Sequence, residues 1–179
     1  MPVSKDEALR AVREKSLSLC EYSGKVRISY TAEGDEQRFS GLLKKNCRGD
    51  LELKVLGLFG AVVAEVTLKN GKYRAIKGEE DITSDLAQII GAREVRLMNS
   101  ALTFPPPLPD PTYGYSTLGG LSVFQKGDLT LITDNSMNIA TIIRPRTITK
   151  YVWEKSRPKS AAMNWGKQEI KLDFYGEWR

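Results

Sequence analysis

Histidine is absent from this 179-residue chain, and cysteine occurs only twice, as Cys20 and Cys47. Without an imidazole the usual proton shuttle of enzymes is missing. Two cysteines with no CxxC spacing leave a zinc site short of its ordinary ligands. No nucleophile elbow, phosphate loop or paired-carboxylate motif takes their place, so the expectation is a protein that is not an enzyme, with no cofactor and no metal. Asp81, Asp85, Asp134 and Asp173 read as caps, turns and solvated strand positions. Long apolar runs are lacking too: stretches such as Gly60 to Ala64 fall far short of the roughly 20 residues that span a bilayer as a helix. The opening Met-Pro-Val-Ser-Lys has no apolar signal-peptide core, as expected of a cytosolic protein or of one whose leader has been removed.

What is present is ordinary for a globular chain: 41% hydrophobic and 27% charged residues, enough for one domain with a substantial core. The net charge is +5, which would suit nucleic acid or anionic lipid. Yet Lys25, Arg27, Lys44, Arg48, Lys54, Lys69, Arg74 and Lys171 are scattered at alternating positions, the pattern of a solvated sheet face. The one local concentration, Arg144 to Lys159, would suit anionic headgroups but lacks the regular aromatic positions of a nucleic-acid groove, so no nucleic acid is expected as a partner. Cys20 and Cys47 fit a single disulfide or two structural thiols equally well.

Periodicity predicts a mainly β protein. Ser4 to Cys20 carries Ala8, Leu9, Ala11, Val12, Leu17 and Leu19 at helical spacing, with Ser4 and Glu7 as a capping box. The period then falls to two. Val26, Ile28 and Tyr30 alternate with polar residues, and after an acidic turn at Glu33 to Glu36 the strand returns through Phe39 to Lys45. Leu51, Leu53 and Val55 are answered by Val62, Ala64, Val66 and Leu68. Asn70-Gly71 signals a hairpin into Lys72 to Lys77. A helical and proline-rich insert over 82–112 follows, with Leu86, Ile89 and Ile90 on a short helix ending at Gly91 and a second helical piece over Arg93 to Leu102. The prolines between Pro105 and Pro111 demand an extended segment over a surface. Strands resume over 120–178, at Leu121 to Gln125, Leu129 to Thr133, Asn138 to Arg144, Thr147 to Trp153 and Glu169 to Trp178. About ten antiparallel strands in one sheet are expected to curl or nearly close into an incomplete barrel.

The turn between the third and fourth strands, Leu56-Gly57-Leu58-Phe59-Gly60, is apolar where turns are normally polar. Such a tip is tucked into the core, or touches a partner, or dips into lipid.

Arg38-Phe39-Ser40-Gly41, the segment Leu51 to Gly60 and the strand Ala64 to Leu68 resemble the LolB-like outer-membrane lipoprotein receptors of the LolA/LolB superfamily. Gly24-Lys25-Val26-Arg27 is similar to that family's first strand, and Ile170 to Phe174, ending at Trp178, to its last. The resemblance implies an incomplete antiparallel barrel with a helical lid formed here by Leu86, Ile89 and Ile90. It implies an acyl-chain cavity lined by Val26, Ile28, Tyr30, Phe39, Leu51, Leu53, Val55, Val62, Ala64, Val66, Ile170, Leu172 and Phe174, and a membrane-inserting loop of Leu56, Leu58 and Phe59. The implied partners are acylated lipoprotein or lipid, a LolA-like periplasmic carrier and the membrane surface. The implied location is the bacterial envelope, on the periplasmic side of the outer membrane if a lipoprotein leader has been removed. Two features depart from the family: no anchor cysteine lies near Met1, and the proline run is not a LolB signature. Two other readings of the same residues are a filled β core with an exposed hairpin tip, and an envelope protein-interaction module whose hot spot is Leu58 and Phe59.

Overall fold

A computed structural model describes residues 3–16, 19–85 and 106–179. It begins with the helix α1, Lys5–Ser16. Ser4 accepts the Glu7 N–H on its Oγ at 3.4 Å while Glu7 Oε2 accepts the Ser4 N–H at 2.9 Å, the reciprocal cap expected from sequence. The helix is shorter than the expected Ser4 to Cys20. By Cys20 the chain has turned to pair with the C-terminal residue, Cys20 and Glu21 both donating to Arg179 O.

Fourteen antiparallel strands follow among the described residues, in a single sheet that does not close. They are β1 (Tyr22–Ala32), β2 (Asp35–Lys45), β3 (Leu51–Leu56), β4 (Val62–Lys69), β5 (Lys72–Lys77) and β6 (Glu80–Asp81), then β7 (Gly114–Leu118), β8 (Leu121–Lys126), β9 (Leu129–Thr133), β10 (Ile139–Arg144), β11 (Thr147–Glu154), β12 (Arg157–Trp165), β13 (Gln168–Phe174) and β14 (Glu177–Trp178). Their order is β6-β5-β4-β3-β2-β1-β13-β12-β11-β10-β9-β8-β7, with β14 on the start of β1. Two meanders therefore join where β1 meets β13. The mainly β, curled and incompletely closed sheet expected from sequence is what forms, with fourteen strands in place of about ten.

Register lines up one apolar face. Tyr22, Lys45, Leu51, Leu68 and Tyr73 form one row across β1 to β5. On the other side Tyr30, Ile170, Met163, Thr149, Ile142, Leu131, Phe124 and Tyr115 continue in register to the last strand. Laid flat, thirteen strands would be about 58 Å wide, whereas the 12 residues of α1 are only about 18 Å long. One short helix covers such a face only if the sheet curls around it. Ala8, Leu9 and Val12 accordingly share a buried cluster with Leu68 on one wing and Phe124 and Leu131 on the other. Gly41 sits in this face because a Cβ there would lie 3.1 Å from Leu53 Cδ1 and 3.2 Å from Val26 Cγ2.

The seam between the two meanders is built on Tyr22. Its hydroxyl donates to Lys25 O and accepts the Gly176 N–H, both at 2.7 Å. Its ring packs against Phe174 and Trp178 with centroids 5.2 and 4.9 Å apart. Gly24 is required beside it, since a Cβ would fall 2.4 Å from Gly176 Cα. The described part of the proline segment does more than cross a surface: Pro106 and Pro109 are buried, Leu108 packs on the core, and Pro111 O accepts the Lys5 ammonium at 2.7 Å.

Candidate functional site: an apolar loop at one end of the sheet

Antiparallel connections put the β1–β2, β3–β4 and β5–β6 turns at the same end of the sheet. The β3–β4 connection is the apolar one. β3 runs through Leu56, so the turn proper is 57–61, closed by Gly57 N–H to Ala61 O at 2.8 Å. Leu58–Gly60 forms a single 3-10 turn. Phe59 has φ 62° and ψ 18°, a left-handed conformation that bulky side chains rarely adopt. Its side chain is fully exposed at 105%, and Leu58 is 85% exposed.

A bulge sharpens the tip. Val55 is registered with Ala64 but Leu56 with Val62, leaving Val63 as the extra residue. Val62 and Val63 are 53% and 43% exposed, and a Cβ on Gly57 would lie 2.6 Å from Val63 Cγ1. Alternation alone misses both the bulge and the role of Gly57. It also puts Val62 on the inner face, from which the bulge removes it. Leu56 is half-buried and pairs with Ser40 on β2.

The remaining residues assigned to a cavity share the inner face. Val26, Ile28, Leu51 and Leu172 are buried, while Tyr30, Leu53, Val55, Ala64, Val66, Ile170 and Phe174 are half-buried. Phe39 is 40% exposed, on the rim, registered with buried Ile28 and next to the Ser40–Leu56 pair. It thus joins the inner face to the base of the loop. Leu86, Ile89 and Ile90 of the expected lid, like the Arg93 to Leu102 piece, lie outside the described residues.

A buried cation, Lys45, sits on this face, contrary to the apolar lining expected. Lys45, only 6% exposed, donates to Cys20 O at 2.9 Å, and burial pushes its ammonium down to about 8. It is at the end of the sheet remote from the loop, beside a Cys20–Cys47 disulfide whose Cα atoms are 4.8 Å apart. A cavity of about 540 Å³ opens there, lined by both charge signs, including Lys44, Lys69, Asp50, Glu52, Glu177 and Arg179. Two further cavities, of about 660 and 500 Å³, lie at the β10–β11 turn and at the β11–β12 turn.

The turns flanking the apolar loop are acidic. Glu33, Asp35 and Glu36 lie on one side and Glu79, Glu80 and Asp81 on the other, all exposed. Arg38 pairs with Glu36 at 2.9 Å and Arg74 with Asp81 at 3.4 Å. The Glu36 carboxyl is held below its usual range by the Arg38 hydrogen bond, and that of Asp81 by Thr83. Asp134, like Asp81, serves as a turn acceptor, taking the Ser136 and Asn138 N–H groups. Among the described residues no group of three or more metal-ligating side chains is placed to hold an ion, and no helix is long and apolar enough to cross a membrane.

No protein-family model and no curated protein matches the chain. Solved structures do resemble it. A LolA superfamily protein from Nitrosomonas europaea is 10% identical with a TM-score of 0.54, covering 96% of this chain and 91% of that one. A domain from Vibrio parahaemolyticus, whose name assigns it to outer membrane lipoprotein sorting, is 9% identical with a TM-score of 0.58, covering 98% and 94%. At such identity the likeness is one of fold: nearly the whole chain shares the architecture of these two structures.

Proposed function

We propose that this protein binds lipid or lipoprotein acyl chains against the inner face of its sheet and delivers them at a membrane surface touched by Leu58 and Phe59. The observation that carries the reading is Phe59, an aromatic side chain fully exposed on a left-handed backbone. Backbone strain and lost burial both work against such a residue there, which points to a use outside the folded chain.

The physics of transfer needs no catalytic group. Each buried CH₂ of an acyl chain contributes about 0.8 kcal/mol, so an aliphatic face takes up chains without directed polar contacts. Release needs an apolar destination nearby. Phe39, between the inner face and the loop base, gives a chain an exit toward the tip. The disulfide agrees with an oxidising compartment such as the periplasm, and the fold agrees with lipoprotein carriage in the bacterial envelope, with acylated lipoprotein and a LolA-like carrier as partners.

A second reading rests on α1, whose Ala8, Leu9 and Val12 already pack into the apolar cluster. With the inner face filled, the loop would be a hot spot for an envelope protein. The Leu58→Glu, Phe59→Glu double variant separates the two. Acyl-chain loading retained with delivery to vesicles lost is the expected outcome. A stable complex with a protein partner, lost in the same variant and independent of lipid, would favour the module.

A further inference from the structure

We infer that the apolar tip selects membrane surfaces with zwitterionic, amine-bearing headgroups and is repelled by anionic ones, although the chain as a whole is cationic. The inference rests on the membrane contact proposed above and assigns the headgroup class that contact takes.

It is carried by where charge lies relative to Leu58 and Phe59. Ser40 is registered with Leu56, and the β1–β2 hairpin runs five residues further to Asp35. Glu33, Asp35 and Glu36 therefore reach at least as far as the apolar tip. On the other side Glu65 is registered with Ile76, and Ile76 with Asp81, so the β5–β6 turn lies beside the loop base at Val62 and Val63. Across these two turns six carboxylates face Lys77 and the ion-paired Arg38 and Arg74, a net charge of −3. Each turn is one or two strand spacings from the loop, about 5–10 Å. That is within the Debye length of about 10 Å at 0.1 M salt.

The positive charge lies farther off. Lys167 is in the β12–β13 turn at this end, but β13 is three strand spacings from β3, about 14 Å along the sheet, and Glu169, registered with Thr31, offsets it. Arg144 and Arg146 flank the β10–β11 turn at the same end of the sheet, but β11 is five strand spacings from β3, about 24 Å along the sheet. At that distance their attraction for an anionic surface is largely screened at the loop. Lys25, Arg27 and Lys54 alternate with the inner-face residues and so point away from the concave side along the strands, not toward the tip. Lys171, on the same outer face, lies near enough to Glu36 to help hold its carboxyl down but is itself paired with Asp173 at 3.3 Å, so the pair leaves the net charge of the flank unchanged. A headgroup plane meeting Leu58 and Phe59 thus meets carboxylates first. Ammonium groups of a zwitterionic lipid complement them, and net-anionic phosphates do not.

The test is partitioning of the disulfide-bonded protein onto phosphatidylcholine vesicles containing either phosphatidylethanolamine or phosphatidylglycerol, at 0.05 and 0.3 M salt. Tighter binding to the ethanolamine vesicles is expected, by about tenfold at the lower salt. Binding to the glycerol vesicles should strengthen as salt rises. The Glu33→Gln, Glu36→Gln, Glu79→Gln, Glu80→Gln variant should lose or reverse the preference. Native protein that prefers the anionic vesicles, and binds them less well as salt rises, overturns the inference while leaving the membrane contact intact. Binding undiminished in the Leu58→Glu, Phe59→Glu variant removes the membrane contact itself, and the inference with it.

Discussion

Replacing Phe59 by glycine separates what the loop does for folding from what it does for binding. Phe59 has φ 62° and is 105% exposed, so glycine removes strain and no native packing. A left-handed L-residue costs roughly 1–2 kcal/mol, and glycine loses about 0.5–1 kcal/mol more conformational entropy on folding. The two nearly cancel, so the stability of Phe59→Gly should stay within about 1 kcal/mol of the native protein, on the stabilising side if either. Partitioning into vesicles should move far more. Burying a phenylalanine contributes about 1.5–3 kcal/mol, so losing it weakens binding about 10- to 100-fold. Urea unfolding followed by the fluorescence of Trp153, Trp165 and Trp178 gives the first quantity, and vesicle co-sedimentation the second. A stability loss above about 2 kcal/mol, or unchanged partitioning, would refute the reasoning, because Phe59 would then be supporting the fold or idle.

Two further predictions concern the opposite end of the sheet. The Cys20–Cys47 bridge closes a loop over a separation of 27 residues, so reduction, or the Cys20→Ser, Cys47→Ser variant, should lower stability by about 3–4 kcal/mol; a urea-measured loss under about 1 kcal/mol would count against it. Burial pushes the Lys45 ammonium down to about 8, so between pH 8 and 10 the unfolded chain holds more protons than the native one. Stability should therefore rise across that window, by about 2 kcal/mol, and the rise should flatten in Lys45→Met. Urea midpoints at unit pH steps check this, and a level or falling midpoint in the native protein would contradict it. The window stops at pH 10 because burial raises the Tyr22 and Tyr151 phenols, whose contribution is lost at higher pH.

Much of the fold was legible because alternation and turn chemistry agreed locally. Asn70 and Gly71 both have positive φ in the hairpin their identities signalled. The alternation of β3 and β4 survives in the pairs Leu51–Leu68, Leu53–Val66 and Val55–Ala64. β12 was hidden. It begins Arg157-Pro158, follows a turn whose left-handed residues are Lys155 and Ser156 instead of glycine, and carries small side chains at Ser160, Ala161 and Ala162. Pro158 is accommodated because a register shift against β11 falls between Val152 and Trp153, whose partner it is. The candidate site was legible as a composition, an apolar turn between two alternating strands. Its shape was not, because the Val63 bulge comes from packing over Gly57 and leaves no periodic trace. The acidic flanks become a single feature only once antiparallel order puts Glu33 and Glu79 at the same end.

The central claim is that the inner face takes up an acyl chain. Native mass spectrometry of the intact, disulfide-bonded protein after incubation with a lipidated peptide tests it most directly, with the unacylated peptide as control. The account predicts one acylated peptide per chain and none of the control. Absence of any acyl-dependent adduct, with the protein folded, would contradict it and leave the inner face as a filled core beneath α1.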